Sequence, residues 1–469
     1  MGIEDRRDGD LPVRSASSRA LGLAVAFAGA AAGCSEPQPN SPASTPDAGA
    51  DSGAPDGSIG GGDAGPDAGL CDVDPFVDRQ VGGPLGDEVR GITFLGGVLV
   101  AVGYEGGTSG VAPYEPGGDA TAFVSFRDAT GAETKRVEFA TAGTDTVEAL
   151  TLGPGPGQLT VVGRTSGSLA SPNQGQMDAF LAILDGSGAV QTLVQSGDER
   201  PQHPTAIGWR GTTLFVAGYD DTYVPTNYVE SWEDGTLQRF TFDGGNFTRD
   251  FAFAFQSAAS DFLYGLAVPP AADAPVYVSG ALTSGTTKGP FVRSTSSTDG
   301  SELWRGRVGS NGFDNAAAVL FDADGNLLVA GSSVHAFGTP VGQQDAFLLR
   351  IDPTTGQLLA STSDGSTESE WVTAAIRDPL GNVYVAGETL GAVVGDPPAA
   401  GEADMFVLRF DASFGLTGRW QSHVAGDESL SGIALDPCGR VVVSGYVEGT
   451  YVPGQAKGGR DGVIARVVF

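Results

Sequence analysis

The stretch NAAAVLFDADGNLLVAGSSVHAFGTPVGQQDAFLLR, Asn315 to Arg350, decides how the whole chain is read. It holds three short apolar runs. The first two are joined by the tight turn Asp322-Ala323-Asp324-Gly325-Asn326 and the last two by a longer polar loop. Runs of this length bounded by Gly, Asp and Asn are strand signals. The stem LLVAG ends at Gly331, and similar stems end at Gly103, Gly163, Gly218, Gly280, Gly387 and Gly445. The spacings of these seven glycines are 60, 55, 62, 51, 56 and 58 residues, so one supersecondary unit recurs seven times.

Each unit reads as four antiparallel strands, A to D. In the unit quoted, strand A is Ala317 to Phe321, strand B is Leu327 to Ala330 and strand C is Ala346 to Ile351. Strand C returns as AFVSFRD from Ala122, DAFLAILD from Asp178, DMFVLRFD from Asp404 and DGVIARV from Asp461. In the third unit Leu237 to Asp243 fits strand C, which leaves Tyr219 to Thr236 as a long loop. A single twisted sheet cannot bury both faces alone, so the units must stack on one another. The expected fold is all-β, a seven-bladed β-propeller of four-stranded antiparallel blades. The last unit stops after strand C at Phe469, and an unmatched segment, Phe76 to Val81, precedes the first. Used as strand D of the seventh blade, that segment closes the ring and removes two open sheet edges, which argues against an open solenoid.

The chain has 57 acidic and 26 basic residues, a net charge of −31, which disfavours nucleic acid and favours a cationic or neutral partner. Residues 1–33 read as an export signal, with Arg6, Arg7, Arg14 and Arg19 ahead of an apolar run from Ala20 to Ala32 that is too short to span a bilayer. Ala31-Ala32-Gly33-Cys34 resembles the bacterial lipobox, which implies a lipid on Cys34. Residues 34–71 form a Pro, Gly, Ala and Asp-rich segment, expected to be a disordered tether, and 72–469 form the propeller. The expected protein is a monomeric bacterial envelope lipoprotein, anchored at the outer membrane or cell surface.

The phrases Asp345 to Asp352, DAFLLRID, and Gly381 to Gly387, GNVYVAG, resemble the bacterial extracellular β-propeller repeats called SBBP repeats. The resemblance implies an exported propeller and no particular chemistry.

Candidate sites follow from the same frame. Cys71 precedes the closing strand and Cys438 sits in the A to B turn of the seventh unit, so the two are expected to form a disulfide in an oxidising compartment. Six units carry an acid before strand A: Asp87, Asp145, Asp261, Asp314, Glu370 and Asp427, with Gln202 in the third. These acids either ring the mouth of the central channel and hold a cation such as calcium, or cap the turns into strand A. The B to C loops are the longest and share a face with the acids. Tyr104, Tyr219, Tyr223, Tyr228, Tyr446 and Tyr451 fall there, a candidate surface for stacking on a glycan or a protein. Histidine occurs only at His203, His335 and His423, without metal-ligand spacing. A binding or scaffold module is therefore favoured over the alternative, an extracellular hydrolase or lyase that uses channel carboxylates.

Overall fold

Strand A of the fifth blade, Asn315–Phe321, pairs with strand B, Leu327–Ser333, which pairs with strand C, Asp345–Ile351, and that with strand D, Leu358–Asp364. A computed structural model describes residues 71, 74–109, 116–117, 119–222, 232–255, 260–284, 287–308, 314–334, 337, 341–394 and 402–469. Among these residues the A-B-C-D order recurs in seven antiparallel sheets. The A strands of successive blades lie side by side, and that of blade 7 lies beside that of blade 1. The protein is a closed seven-bladed propeller. Residues Phe76–Phe469 belong to one compact unit.

The seventh sheet has strands A, B and C at Glu428–Leu435, Val441–Val447 and Asp461–Arg466, and its fourth strand is Arg79–Val81. That strand pairs through Arg79 with Ile464, Gln80 with Val463 and Val81 with Gly462.

The glycine that ends the stem of each B strand, inside the strand itself, has one physical cause. Every A strand carries a register shift opposite it, as between Ala316 and Ala318 in blade 5. Such a bulge brings two residues against one and bends the strand. The strand A carbonyl then lies almost against the glycine: a Cβ on Gly331 would sit 2.0 Å from the Asn315 oxygen, and one on Gly280 1.8 Å from that of Phe262. No side chain fits there. The A to B turn is equally local, since the Asp322 carboxylate accepts the Asp324 and Asn326 amides while Gly325 takes φ 83°.

Strands alternate their side chains between the two neighbouring blades, and the cores lie in the seams. Phe347, Leu349 and Ile351 pack with Val319, Val329 and Val292 of blade 4. Burying one such side chain contributes about 2 kcal/mol. Blade 3 differs from expectation. Its strands B and C run on to Thr222 and begin again at Trp232, so pairing extends well into the segment expected to be loop.

Candidate functional site

The bulges place one residue of each A strand out of register: Arg90, Glu148, Thr205, Tyr264, Ala317, Thr373 and Ser431. Two residues earlier along the strand, pairs form between strands A and B. Glu88 faces Tyr104, Thr146 faces Arg164, His203 faces Tyr219 and Ser429 faces Tyr446. These two layers of the inner strands are charged in blades 1 and 2, polar in blades 7 and 3, which flank them, and aromatic in blade 4, where Phe262 and Tyr264 stack at 6.1 Å.

The charged arc is a continuous chain. Arg90 pairs with Glu148 of the next blade, and Glu148 Oε1 accepts Arg164 Nε at 2.9 Å. Ser431 of blade 7 donates to Glu88 Oε1 at 2.7 Å. Burial pushes the Glu148 carboxyl up, but Arg90 and Arg164 outweigh it and hold it at about 2. Burial draws Arg90 down, and Glu148 with Glu88 more than restores it. Buried ions of this kind persist because each is paired on more than one side.

His203 ends the chain. Its Nδ1 accepts from Arg164 Nη1 at 2.9 Å and its Nε2 donates to Asp221 at 3.1 Å, roles assigned from the network because an arginine only donates. The ring stacks on Tyr219 at 4.6 Å. Both nitrogens are engaged by neighbouring side chains. This His-Asp pair is built as a strut.

The predicted acids occupy one register position, with one correction. In blade 7 the residue in register is Glu428, wholly buried, whereas Asp427 is half-buried and accepts the Ala403 amide through its side chain. The adjacent acids differ by one place, and the bulge sets which one faces the seam. A second correction concerns setting. Asp87, Asp145, Asp261, Asp314 and Glu370 are each 2% exposed or less and lie at the start of strand A or immediately before it. Asp87 accepts the Gly83 and Gly106 amides at 2.7 and 2.8 Å, and Asp145 the Thr141 amide at 2.5 Å. Asp314 accepts Ser333 and Val334, Asp261 meets Arg293 at 3.4 Å, and Glu370 accepts Ser366 and Thr389. Burial pushes Asp87 up to about 6 and Glu370 and Glu428 to about 7, with Asp461, Asp345 and Asp404 adding repulsion in turn.

The tyrosine surface needs a correction too. Tyr104, Tyr219 and Tyr446 follow the stem glycine on strand B and are 4%, 5% and 6% exposed, so they cannot offer a ring to a ligand. Tyr446 is covered by the Arg460 guanidinium at 3.8 Å. Tyr451 is half-buried, and burial with Asp78 nearby raises its pKa. Tyr223, Tyr228, His335 and Cys34 lie outside the described residues, as do residues 1–70 as a whole. Cys71 and Cys438 are each disulfide-bonded.

What shapes the B to C face is a glutamine. Gln421, at the end of strand D in blade 6, donates to Asp404 Oδ2 and the Gly391 carbonyl and accepts the Val393 and Val394 amides. Gln195 in blade 2 does the same with Asp178, Gly167, Leu169 and Ala170. Gln80, on the closing strand, does so with Asp461, Gly449, Tyr451 and Val452. The recurrence of Gln just before the turn into strand A was the signal available in the sequence.

A partly open cavity of about 20 Å³ lies between blades 2 and 3. Its walls are Val162, Leu181, Val194, Val216 and Phe240, and Gln202, His203 and Asp220 stand among its polar residues.

No family model matches the chain, and no curated protein matches it. Among solved structures it is similar to Sqt1 from Chaetomium thermophilum bound to the N-terminus of the ribosomal protein L10, at 15% identity and TM-score 0.43, covering 82% of this chain and 98% of that one. It is also similar to the Pyrococcus horikoshii acylaminoacyl peptidase, at 10% identity and TM-score 0.41, over 77% of this chain and 49% of that one. A third is the quinohemoprotein alcohol dehydrogenase of Comamonas testosteroni, at 12% identity and TM-score 0.40, over 83% and 76%.

Proposed function

We propose that this chain is a bacterial envelope lipoprotein of the SBBP-repeat type whose propeller binds a protein or glycan across its B to C face, held outside the membrane by a lipid on Cys34. The observation that carries the binding role is the glutamine clamp. Three B to C loops, in blades 2, 6 and 7, are fixed by the same four hydrogen bonds, and a loop fixed in advance loses less entropy when it binds. The alternative, a hydrolase or lyase, needs carboxylates that a substrate reaches. Glu370 and Glu428, the acids held up to about 7, are wholly buried in blade seams.

Two experiments test the reading. Probing glycan and surface-protein arrays with the propeller tests the binding face: a ligand must be retained by the intact protein and weakened by substitutions in the loops of blades 2, 6 or 7. Retention that is indifferent to all three loops would remove the face from the proposal. Mass spectrometry of the chain made in a bacterial host tests the anchor, with a diacylglyceryl group on Cys34 expected; an unmodified Cys34 would return the chain to plain secretion.

A further inference from the structure

Glu370 opens strand A of blade 6 and Asp345 opens strand C of blade 5, and their carboxylates meet at the seam. Glu370 Oε2 and Asp345 Oδ1 lie 2.0 and 3.1 Å from where a Cβ on Gly365 would stand, so the glycine leaves the room that they share. Glu370 Oε1 accepts the Ser366 and Thr389 hydroxyls, but Oε2 is buried and has no hydrogen-bond partner. Both oxygens of Asp345 already accept backbone amides, those of Val341 and Gly342. The charge that bears most on Glu370 is that of Asp345. Two buried carboxylates in one site do not both stay ionised. A hydrogen on Glu370 Oε2, directed at Asp345 Oδ1, fills the empty position and removes the repulsion in one step.

The next two seams repeat the arrangement. Glu428 is wholly buried, its Oε2 accepts the Ser422 hydroxyl, its Oε1 has no partner, and Asp404 is the acid that bears on it most. Asp87 Oδ2 and Asp461 Oδ1 crowd Gly82 at 2.2 and 3.0 Å, and Asp461 Oδ1 is again buried and empty.

The first two pairs flank one loop. Thr389, which donates to Glu370, ends strand B of blade 6 and accepts the Gly391 amide. The Gly391 carbonyl accepts Gln421, which also donates to Asp404 and holds the Val393 and Val394 amides. We propose that the B to C loop of blade 6 is gated by protons, closed while Glu370 and Glu428 each share a hydrogen with the strand C aspartate of the preceding blade and loosened when those hydrogens leave. The other groups around the second pair are Glu402, Tyr451 and the exposed His423, whose Nδ1 lies 3.7 Å from Asp404. The gate deepens the binding role proposed for this face and rests on it for its use.

Amide hydrogen exchange of the full chain, divided by the intrinsic rate at each pH, tests the gate. Protection at Val393 and Val394 should fall by about tenfold between about pH 5.5 and 7, because the loosened loop lets both acids return to ordinary values. Glu370→Gln with Glu428→Gln should flatten that profile, and wild-type protection at pH 5.5 shows that the double variant is folded. Infrared difference spectra need no variant: the carbonyl stretch of a protonated carboxyl should persist above pH 5.5, where exposed acids have ionised, and vanish near neutrality. A flat wild-type profile, a slope kept in the double variant, or no such band would each overturn the proposal. So would a slope abolished by His423→Gln, which would make the imidazole the gate, or protection restored at pH 8 by millimolar calcium, which would put a metal in place of the proton. Array binding that survives a flat profile would leave the broader reading standing, and a gated loop without a ligand would remove only the gate's use.

Discussion

The amide nitrogen of Gln421 lies 2.7 Å from the Asp404 carboxylate, and the same residue pair recurs as Gln195 with Asp178 and as Gln80 with Asp461. Each glutamine ties the end of strand D to the start of strand C and to the loop that precedes it. Replacing Gln421 by Ala strands two backbone amides and a buried carboxylate, and should cost about 2–4 kcal/mol. Urea unfolding measures it, and hydrogen exchange should speed up at Val393 and Val394 while other blades stay protected. An unchanged midpoint would mean that the loop is held by something else.

Gly331 and Gly325 sit in one hairpin and should respond differently to alanine. A Cβ at 331 overlaps the Asn315 carbonyl, so the strands must part, at about 3 kcal/mol or more. At 325 nothing lies within 4 Å, and only the left-handed backbone is penalised, by about 1–2 kcal/mol. Thermal melts of the two variants should fall in that order.

Stability should decline as pH rises towards neutral. Glu370 and Glu428 have unfolded values of 4.5 and folded values of about 7, so the folded state binds more protons between those limits. Their stabilising contribution is whole below pH 4.5 and is lost as pH rises through about 7, by up to about 3 kcal/mol each. Gln202 is the protein's own neutral version at the same register. Replacing both glutamates by Gln should therefore flatten urea midpoints measured from pH 4.5 to 7. An unaltered slope would count against neutral acids in the seams.

Glu148 behaves in the opposite sense. Its folded value of about 2 means that its contribution is present above 4.5 and is lost as pH falls through about 2. Glu148→Gln should leave Arg90 and Arg164 buried without their shared counter-charge, at about 3–5 kcal/mol. A calorimetric scan near neutral pH checks the loss, and a mild effect would show that Glu88 alone suffices for Arg90.

Non-reducing peptide mapping should recover one cross-linked peptide that joins Cys71 to Cys438. Cys438→Ser should lower stability by about 2–5 kcal/mol.

Much of the architecture was legible because it is written seven times. The stem glycines gave the number of blades, and their cause is steric, so they recur wherever strand A bulges. The closing strand was legible from what was missing at the other end. The bulge itself left no mark in composition, and it decides which neighbour faces the seam. For that reason Glu428 rather than Asp427 holds the register position. The charged arc was partly visible as Glu88, Arg90 and Glu148 within otherwise apolar strands. Its partners belong to other repeats, and no reading within one repeat pairs them.

The closing strand also orders events in time. Gln80 and Asp461 are 381 residues apart in sequence, yet they share one hydrogen bond in the seventh blade. Six blades need only their own four strands, so each can form soon after its segment is synthesised. The seventh must keep one of the first strands to emerge waiting for one of the last. Pairings of such long separation form slowly. Until then the seventh sheet lacks its outer strand, and an unpaired strand edge of this kind is open to wrong pairing.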